Sequence, residues 1–401
     1  MRPRLAVLVP LLLAGACAGG EKSPETGHTD TDPRFRYLGA TTVAAESVEA
    51  GVTTWTFAQD SGPACLRGDD FRASARPSPT GNTDDLLIFL QGGGACWDGF
   101  CLAVTSAPAG VPHVDALDPA LADNPFADWN VTYLPYCDGS LFIGDADHDD
   151  DGDGVPERLH RGLANLSGAL DLSKAQFPHP RRVVFAGSSG GGFGVLLALP
   201  LVRHVYPDAE LIVLADSAVG VAKGDADPAF VDGLVEEWGA QELLPAGCVA
   251  SDCLASGHMT GVVAEYLEED PSVRMGVFTS WYDLIIGDLF LKVPPATFAQ
   301  HIDDETSALN ASFGDRYKRF IIDGRMHTTL LGDASGIVGT DFGAVEVPPE
   351  ALDLLTGIEL GGLDTTVSAD GTAVSAWVQA LVDDSDDWVD TVDTPSEAPT
   401  E

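Results

Sequence analysis

Basic side chains are scarce. Lys and Arg number 21 against 62 Asp and Glu, a formal net charge of −41. A chain so short of cations has no basic stripe with which to displace counterions, so nucleic acid is excluded as a partner. Docking on an anionic membrane by electrostatics is disfavoured for the same reason. Screening confines repulsion to about 8–10 Å, so charge alone does not exclude an anionic polysaccharide, and its first effect is a solubilising surface. A membrane-spanning run is also missing: Leu5 to Ala16 falls short of the roughly 20 apolar residues needed. There is no C-x-x-C or Cys/His cluster to suggest zinc, and no internal repeat. What remains is 401 residues, 45% of them apolar, which is enough to bury a core and rules out wholesale disorder.

Arg2 and Arg4 before that short apolar run, with small residues at its end, make a secretory signal over residues 1–17. Leu13-Ala14-Gly15-Ala16-Cys17 resembles the lipobox of bacterial lipoproteins, in which the cysteine is lipidated and becomes the new N-terminus. Ala14 stands where Leu is preferred, and Ala14-Gly15-Ala16 also fits ordinary A-x-A cleavage. The expected product is a bacterial cell-surface or outer-membrane lipoprotein, held to the membrane only through Cys17; a secreted protein is the alternative. Residues 18–33, rich in Gly, Ser, Pro, Thr and acids, are expected as a flexible linker.

With Cys17 set aside, six of the seven cysteines remain. An even number in an oxidising compartment suggests disulfides whose connectivity the count leaves open. Cys96/Cys101 and Cys248/Cys253 would each close a small loop, leaving Cys65 with Cys137.

Short β-rich runs alternate with longer helical stretches. Strands are expected at Thr53–Phe57, Leu86–Leu90, Val131–Leu134, Val183–Ala186, Leu211–Leu214, Met275–Thr279 and Phe320–Ile322. Their near-continuous Leu, Ile, Val and Phe suit strands buried on both faces of a parallel sheet. Helices are expected at Arg158–Phe177, Phe193–Tyr206 and Val262–Glu269. The pattern predicts an α/β fold with a mainly parallel central sheet flanked by helices. One catalytic domain would span 34–390, with a lid insertion at 222–260 and an acidic disordered tail at 391–401; Trp377 and Trp388 suggest a final helix.

The chemistry centres on Gly187-Ser188-Ser189-Gly190-Gly191, a G-x-S-x-G between the strand Val183–Ala186 and an apolar helix. This is the nucleophile elbow: small neighbours let the backbone crowd around the serine, and the helix N-terminus favours an oxyanion. The motif alone is weak; its strand-turn-helix setting strengthens it. Upstream, the strand 86–90 ends in Gln91-Gly92-Gly93-Gly94-Ala95, a run suited to aiming backbone N–H groups at the oxyanion. The fold's chain order puts the acid and then His after Ser. Of His204, His258, His301 and His327, only His327 follows a strand exit. Asp283, at the end of Met275–Tyr282, is the expected acid; Asp216 is its rival, and Asp288 and Asp323 are weaker candidates.

Leu87–Gly94, Pro135–Ser140, Ala186–Gly192 and Trp281-Tyr282-Asp283 together resemble the pectin acetylesterase/Notum family of carboxylesterases. The resemblance implies an α/β-hydrolase that removes acyl groups from sugar hydroxyls or, in Notum, a lipid from a protein serine. By position it implies Ser189 as nucleophile, Asp283 as acid, His327 as base, and Gly94, Ala95 and Gly190 as oxyanion donors, with no cofactor required. Three departures stand out: Ala95 precedes the expected Trp, Ser188 stands where Cys is common, and Gly190 where Ala is usual. The expected activity is O-acetyl removal from an extracellular polysaccharide, or hydrolysis of a small ester. The alternatives are a Notum-like deacylase of longer acyl esters and a non-catalytic binding lipoprotein.

Asp147, Asp149, Asp151, Asp153 and Glu157 alternate with Gly152 and Gly154, as in a loop converging hard oxygen ligands on calcium. Counted from Asp147, Gly152 falls at position 6, but Glu157 falls at 11 where an EF-hand has 12. A structural Ca²⁺ site and a solvated acidic loop are both open.

Overall fold

The computed structural model describes residues 32–399 except 224, 226 and 333–357. The expected signal segment, Cys17 and all but the end of the 18–33 linker lie outside the described residues. From edge to edge, a ten-stranded sheet runs β1 (Val43–Glu49), β2 (Val52–Phe57), β3 (Arg72–Arg76), β7 (Asn130–Leu134) and β4 (Asp85–Leu90). It continues through β10 (Arg182–Ser188), β11 (Glu210–Asp216), β12 (Arg274–Ser280), β13 (Tyr317–Ile322) and β14 (Thr391–Val392). The first four strands pair antiparallel, and from β7 onward every pairing is parallel. Two hairpins stand apart, β5 (Gly94–Trp97) with β6 (Phe100–Ala103) and β8 (Ala146–His148) with β9 (Arg158–His160).

The continuous apolar runs are explained by burial on both faces. Val183 and Phe185 join Leu86 and Ile88 in one core, while Val184 and Ala186 join Leu87 and Phe89 in the other. Successive side chains of a strand point to opposite faces, so both must be covered. The larger core takes α1 (Gly162–Gln176), α2 (Gly190–Leu197), α3 (Leu199–Val205), α4 (Pro228–Glu237) and α6 (Thr260–Glu269). The smaller takes α8 (Val374–Asp383) through Trp377, with Trp388 beside it. Helices also come from Ala246–Ser251 (α5) and Pro295–Phe313 (α7). The order and layering are those of an α/β-hydrolase-like fold.

Three expectations need correction. Arg158–His160 is a strand, so the helix expected from Arg158 begins at Gly162. The helix expected over Phe193–Tyr206 is two: α2 ends at Leu197, Ala198 is non-helical, and Pro200 sits in the first turn of α3, where its missing N–H costs nothing. The tail expected to be disordered from 391 is ordered through 399: β14 pairs with β13, and the Trp281 indole donates to the Asp393 carbonyl at 2.8 Å. Acidic composition hid this, because Asp390 neutralises Arg319 through several hydrogen bonds.

The segment 222–260, expected as a lid insertion, carries α4 and α5. It is fastened by the buried Trp238, whose indole N–H donates to the Cys96 carbonyl at 2.7 Å. Disulfides join Cys65–Cys137, Cys96–Cys101 and Cys248–Cys253, the arrangement the close spacings suggested. Cys65–Cys137 spans 72 residues, and in the chain-entropy account a loop of that size restricts the unfolded state by roughly 4 kcal/mol. Replacing both cysteines by serine is expected to lower the denaturant midpoint by a corresponding amount. An unchanged midpoint would contradict this.

Candidate functional site

The parallel register brings the C-terminal ends of β4, β10, β11, β12 and β13 to one rim, where open α/β sheets place their chemistry. Ser188 is level with Asp216, and Ser280 with Ile322. Ser189 sits at the tip of β10 with φ 55° and ψ −122°. That is a strained conformation for a residue with a side chain, and it is the turn a nucleophile elbow requires. Crowding explains the glycines on either side of the cleft. A Cβ on Gly92 would lie 2.5 Å from the Ser188 carbonyl oxygen, and one on Gly191 would collide with the Leu90 carbonyl.

Gly190 opens α2, so its N–H belongs to the first turn, whose donors have no intrahelical acceptor. Gly94 and Ala95 begin β5. The residues of all three expected oxyanion donors line the same cleft as Ser189. The hairpin is held from behind: the Cys96 N–H donates to the Gly139 carbonyl at 2.8 Å. Asp138, fully buried beside it, accepts from the Ser140 N–H and hydroxyl, and burial pushes its carboxyl above the usual range.

His327 and Asp283 meet. The His327 Nδ1 lies 3.0 and 2.9 Å from the two Asp283 carboxylate oxygens. Both residues are buried. Asp283 also accepts from the Ile285 and Ile286 N–H groups, capping the π-helical turn Leu284–Leu291. These bonds fix the carboxylate, which would hold Nδ1 as the donor and turn Nε2 outward as a base. No hydrogen bond joins the Ser189 hydroxyl to His327 among the described residues, and His327 does not line the cleft. Such links often tighten only with substrate bound. The other histidines lie elsewhere: His204 stacks on Phe35, and His258 accepts from the Ala222 N–H and packs near His301. Of the weaker acids, Asp288 pairs with Arg325 and Asp323 receives Ser396.

Asp216, the rival acid, has another place. Its buried carboxylate accepts from the Ser188 hydroxyl at 2.6 Å, the Thr329 N–H at 2.9 Å and the Leu330 N–H at 2.8 Å. Its carbonyl takes the Ser189 N–H at 2.7 Å. Ser217 next to it accepts from the Thr328 N–H at 2.7 Å, and Ser280 donates to the Met326 carbonyl at 2.6 Å. One buried acid therefore ties the serine turn to the loop carrying His327. Burial raises its carboxyl, while these hydrogen bonds pull it down. Sequence reasoning saw only an acid at a strand end; its partners on the His327 loop lie more than a hundred residues further along the chain.

Among the described residues, the cleft has no charged side chain in its lining. Trp97 and Phe193 stand near the serine, Phe230, Leu234 and Trp238 come from the insertion, and Ile286 and Phe290 close another side. None of these wall residues was singled out from the sequence, because only the fold lays α4 across the serine.

In the expected calcium loop, Asp149, Asp151, Asp153 and Glu157 bring ligand oxygens within 4.8 Å of one another. Asp147 is not among them, because both of its oxygens take the Arg161 guanidinium at 3.0 and 2.7 Å. The four remaining donors are the all-oxygen kind that suits a hard cation. Asp149 already accepts from the Gly152 and Gly154 N–H groups.

Residues 113–266 match the sequence model of the pectinacetylesterase family. That stretch contains Ser189 and Gly190 but stops before Asp283 and His327. Over 144 residues the chain is 29% identical to a palmitoleoyl-protein carboxylesterase Notum from Schmidtea mediterranea, covering 32% of this chain and 26% of that protein. Over 237 residues it is 22% identical to pectin acetylesterase 11 from Arabidopsis thaliana, covering 55% of this chain and 60% of that one. The chain thus spans less than two thirds of the curated relatives it matches. A crystal structure of the Wnt deacylase Notum from Drosophila shares the fold, with a TM-score of 0.56 and 16% identity over 84% of this chain and 95% of that chain.

Replacing Asp216 by Asn would leave at least two buried N–H donors facing an amide instead of a carboxylate. Each such mismatch costs about 1–3 kcal/mol. The variant is expected to melt at lower temperature and to exchange the amides of 326–330 faster than wild type. Unchanged exchange there would show that Asp216 does not hold the His327 loop.

Proposed function

We propose that this chain, whose motifs, family-model match and fold are those of the pectin acetylesterase/Notum family, is an exported serine carboxylesterase. The Ser189 hydroxyl attacks an ester carbonyl as the His327 Nε2 takes its proton. The N–H groups of Gly94, Ala95 and Gly190 receive the oxyanion. His327 then protonates the departing alcohol, and Asp283 stabilises the charged imidazole between the two transfers. Water deprotonated by His327 releases the carboxylic acid from the acyl-enzyme.

The single observation that carries this reading is the strained Ser189 turn, which shares with Gly94, Ala95 and Gly190 a cleft that is uncharged among the described residues. The same cleft bears on substrate. Its walls are apolar side chains such as Trp97, Phe193, Phe230 and Leu234, and each further CH₂ buried against them is worth about 0.8 kcal/mol, roughly fourfold in affinity. A sugar ring would need polar partners, and the lining among the described residues is apolar. Between O-acetyl removal from a polysaccharide and deacylation of longer chains, the lining favours the longer acyl chain, with the alcohol half, glycan or otherwise, lying outside. Export rests on the Arg2/Arg4 signal segment and Cys17, and the three disulfides suit an oxidising compartment.

With nitrophenyl esters from C2 to C10, kcat/KM is expected to rise by at least tenfold from C2 to C6, and Ser189→Ala to abolish turnover throughout. Asp283→Asn should lower kcat by about 10³–10⁴. A profile that peaks at C2 would return the assignment to an acetylesterase. Turnover in the Ser189 variant would remove the mechanism.

A further inference from the structure

The hairpin beneath the insertion carries a second cluster with no part in the chemistry above. His148 ends β8, His160 ends β9, and Glu237 is the last residue of α4. One ligand atom from each lies within 4.8 Å of the others. His160 is fully buried, and its Nδ1 lies 3.0 Å from the Asp138 carbonyl. A carbonyl can only accept, so Nδ1 carries the proton and Nε2 keeps its lone pair. That Nε2 is buried without any hydrogen-bond partner. An orphaned buried acceptor costs about 1–3 kcal/mol and calls for an explanation.

We propose that His148, His160 and Glu237 form a site for a borderline divalent transition metal, best represented by Zn²⁺, with a fourth position left for water. Two imidazoles and a carboxylate are ligands zinc takes and calcium does not prefer. The carbonyl behind His160 is the kind of support that fixes the tautomer and orientation of a metal-binding histidine. Thiolates do not compete, since all six cysteines among the described residues are in disulfides.

Binding requires local closure. Ligand atoms around tetrahedral zinc stand about 3.3 Å apart, given bonds near 2.0 Å. His148 and Glu237 are only half-buried and can turn. His148 Nε2 is 2.7 Å from the Glu237 carbonyl, and the Glu237 carboxylate contacts Arg158. Arg158 keeps its paired contacts with Asp150 if Glu237 turns to the metal. The ion would join the end of α4 to the hairpin, one residue before Trp238, which lines the cleft. Metal occupancy would thereby stiffen the wall that the insertion gives to the site.

The test uses the full chain, stripped with a chelator and titrated with Zn²⁺ against a chromophoric competitor. One zinc per chain is expected, with a rise in melting temperature and an X-ray absorption shell at about 2.0–2.1 Å from N and O. His148→Ala and Glu237→Gln, at half-buried positions, should each weaken binding by at least tenfold, whereas Asp151→Asn in the acidic loop should not. Hydrogen exchange in 228–238 should slow when zinc is added to wild type. The proposal is overturned if wild type binds no zinc, if both variants bind as wild type does, or if Asp151→Asn abolishes binding and so assigns the ion to the acidic loop.

Discussion

The site depends on one buried carboxylate that does none of the proposed proton transfer. Asp216 accepts the Ser188 hydroxyl on one side and the Thr329 and Leu330 N–H groups on the other, while its carbonyl holds the Ser189 N–H. Serine and histidine are supplied by segments about 140 positions apart in the chain, and nothing local relates them. A carboxyl group at zero exposure carries a desolvation cost, and satisfying its oxygens with donors from both segments offsets it. The same bonds make the two turns one unit. The strain at Ser189 can persist because its neighbours on both sides are held.

Charge and site are separated. A chain with a net charge of −41 presents, among the described residues, an uncharged lining at its serine. Asp138, Asp216 and Asp283 are buried behind the lining, and other acids lie in ion pairs such as Arg319–Asp390 and Arg158–Asp150. In the proposed mechanism an anionic transition state would form among backbone donors and apolar side chains, where a low local dielectric strengthens each N–H contact. The segment 222–260 matters for this reason: Phe230, Leu234 and Trp238 line one side of the cleft, and the Trp238 indole ties that wall to the β5–β6 hairpin at Cys96.

Much of this was legible in the chain. The strands buried on both faces announced themselves as continuous apolar runs, and all seven expected ones lie within observed strands. The elbow was legible because its glycines are dictated by backbone crowding, a local constraint. The Asp283–His327 contact followed from chain order and strand exits. The hairpins β5–β6 and β8–β9 were not foreseen, since strands of three or four residues have too little periodicity to register. The role of Asp216 and the apolar wall from α4 were hidden for another reason: both are made by partners distant in sequence. Thr391–Val392 was misread because acidic flanks outweighed a two-residue β signal, although Asp390 and Asp393 make specific contacts. His148, His160 and Glu237 escaped notice likewise, lacking any close ligand spacing.

The most direct measurement is mass mapping of the intact protein after reaction with an alkyl fluorophosphonate, which phosphonylates an activated serine. A single adduct on the peptide containing residue 189, absent when that serine is replaced by alanine and formed faster with an octyl than with a methyl reagent, is the predicted result. No adduct, or one on another serine, would contradict the account.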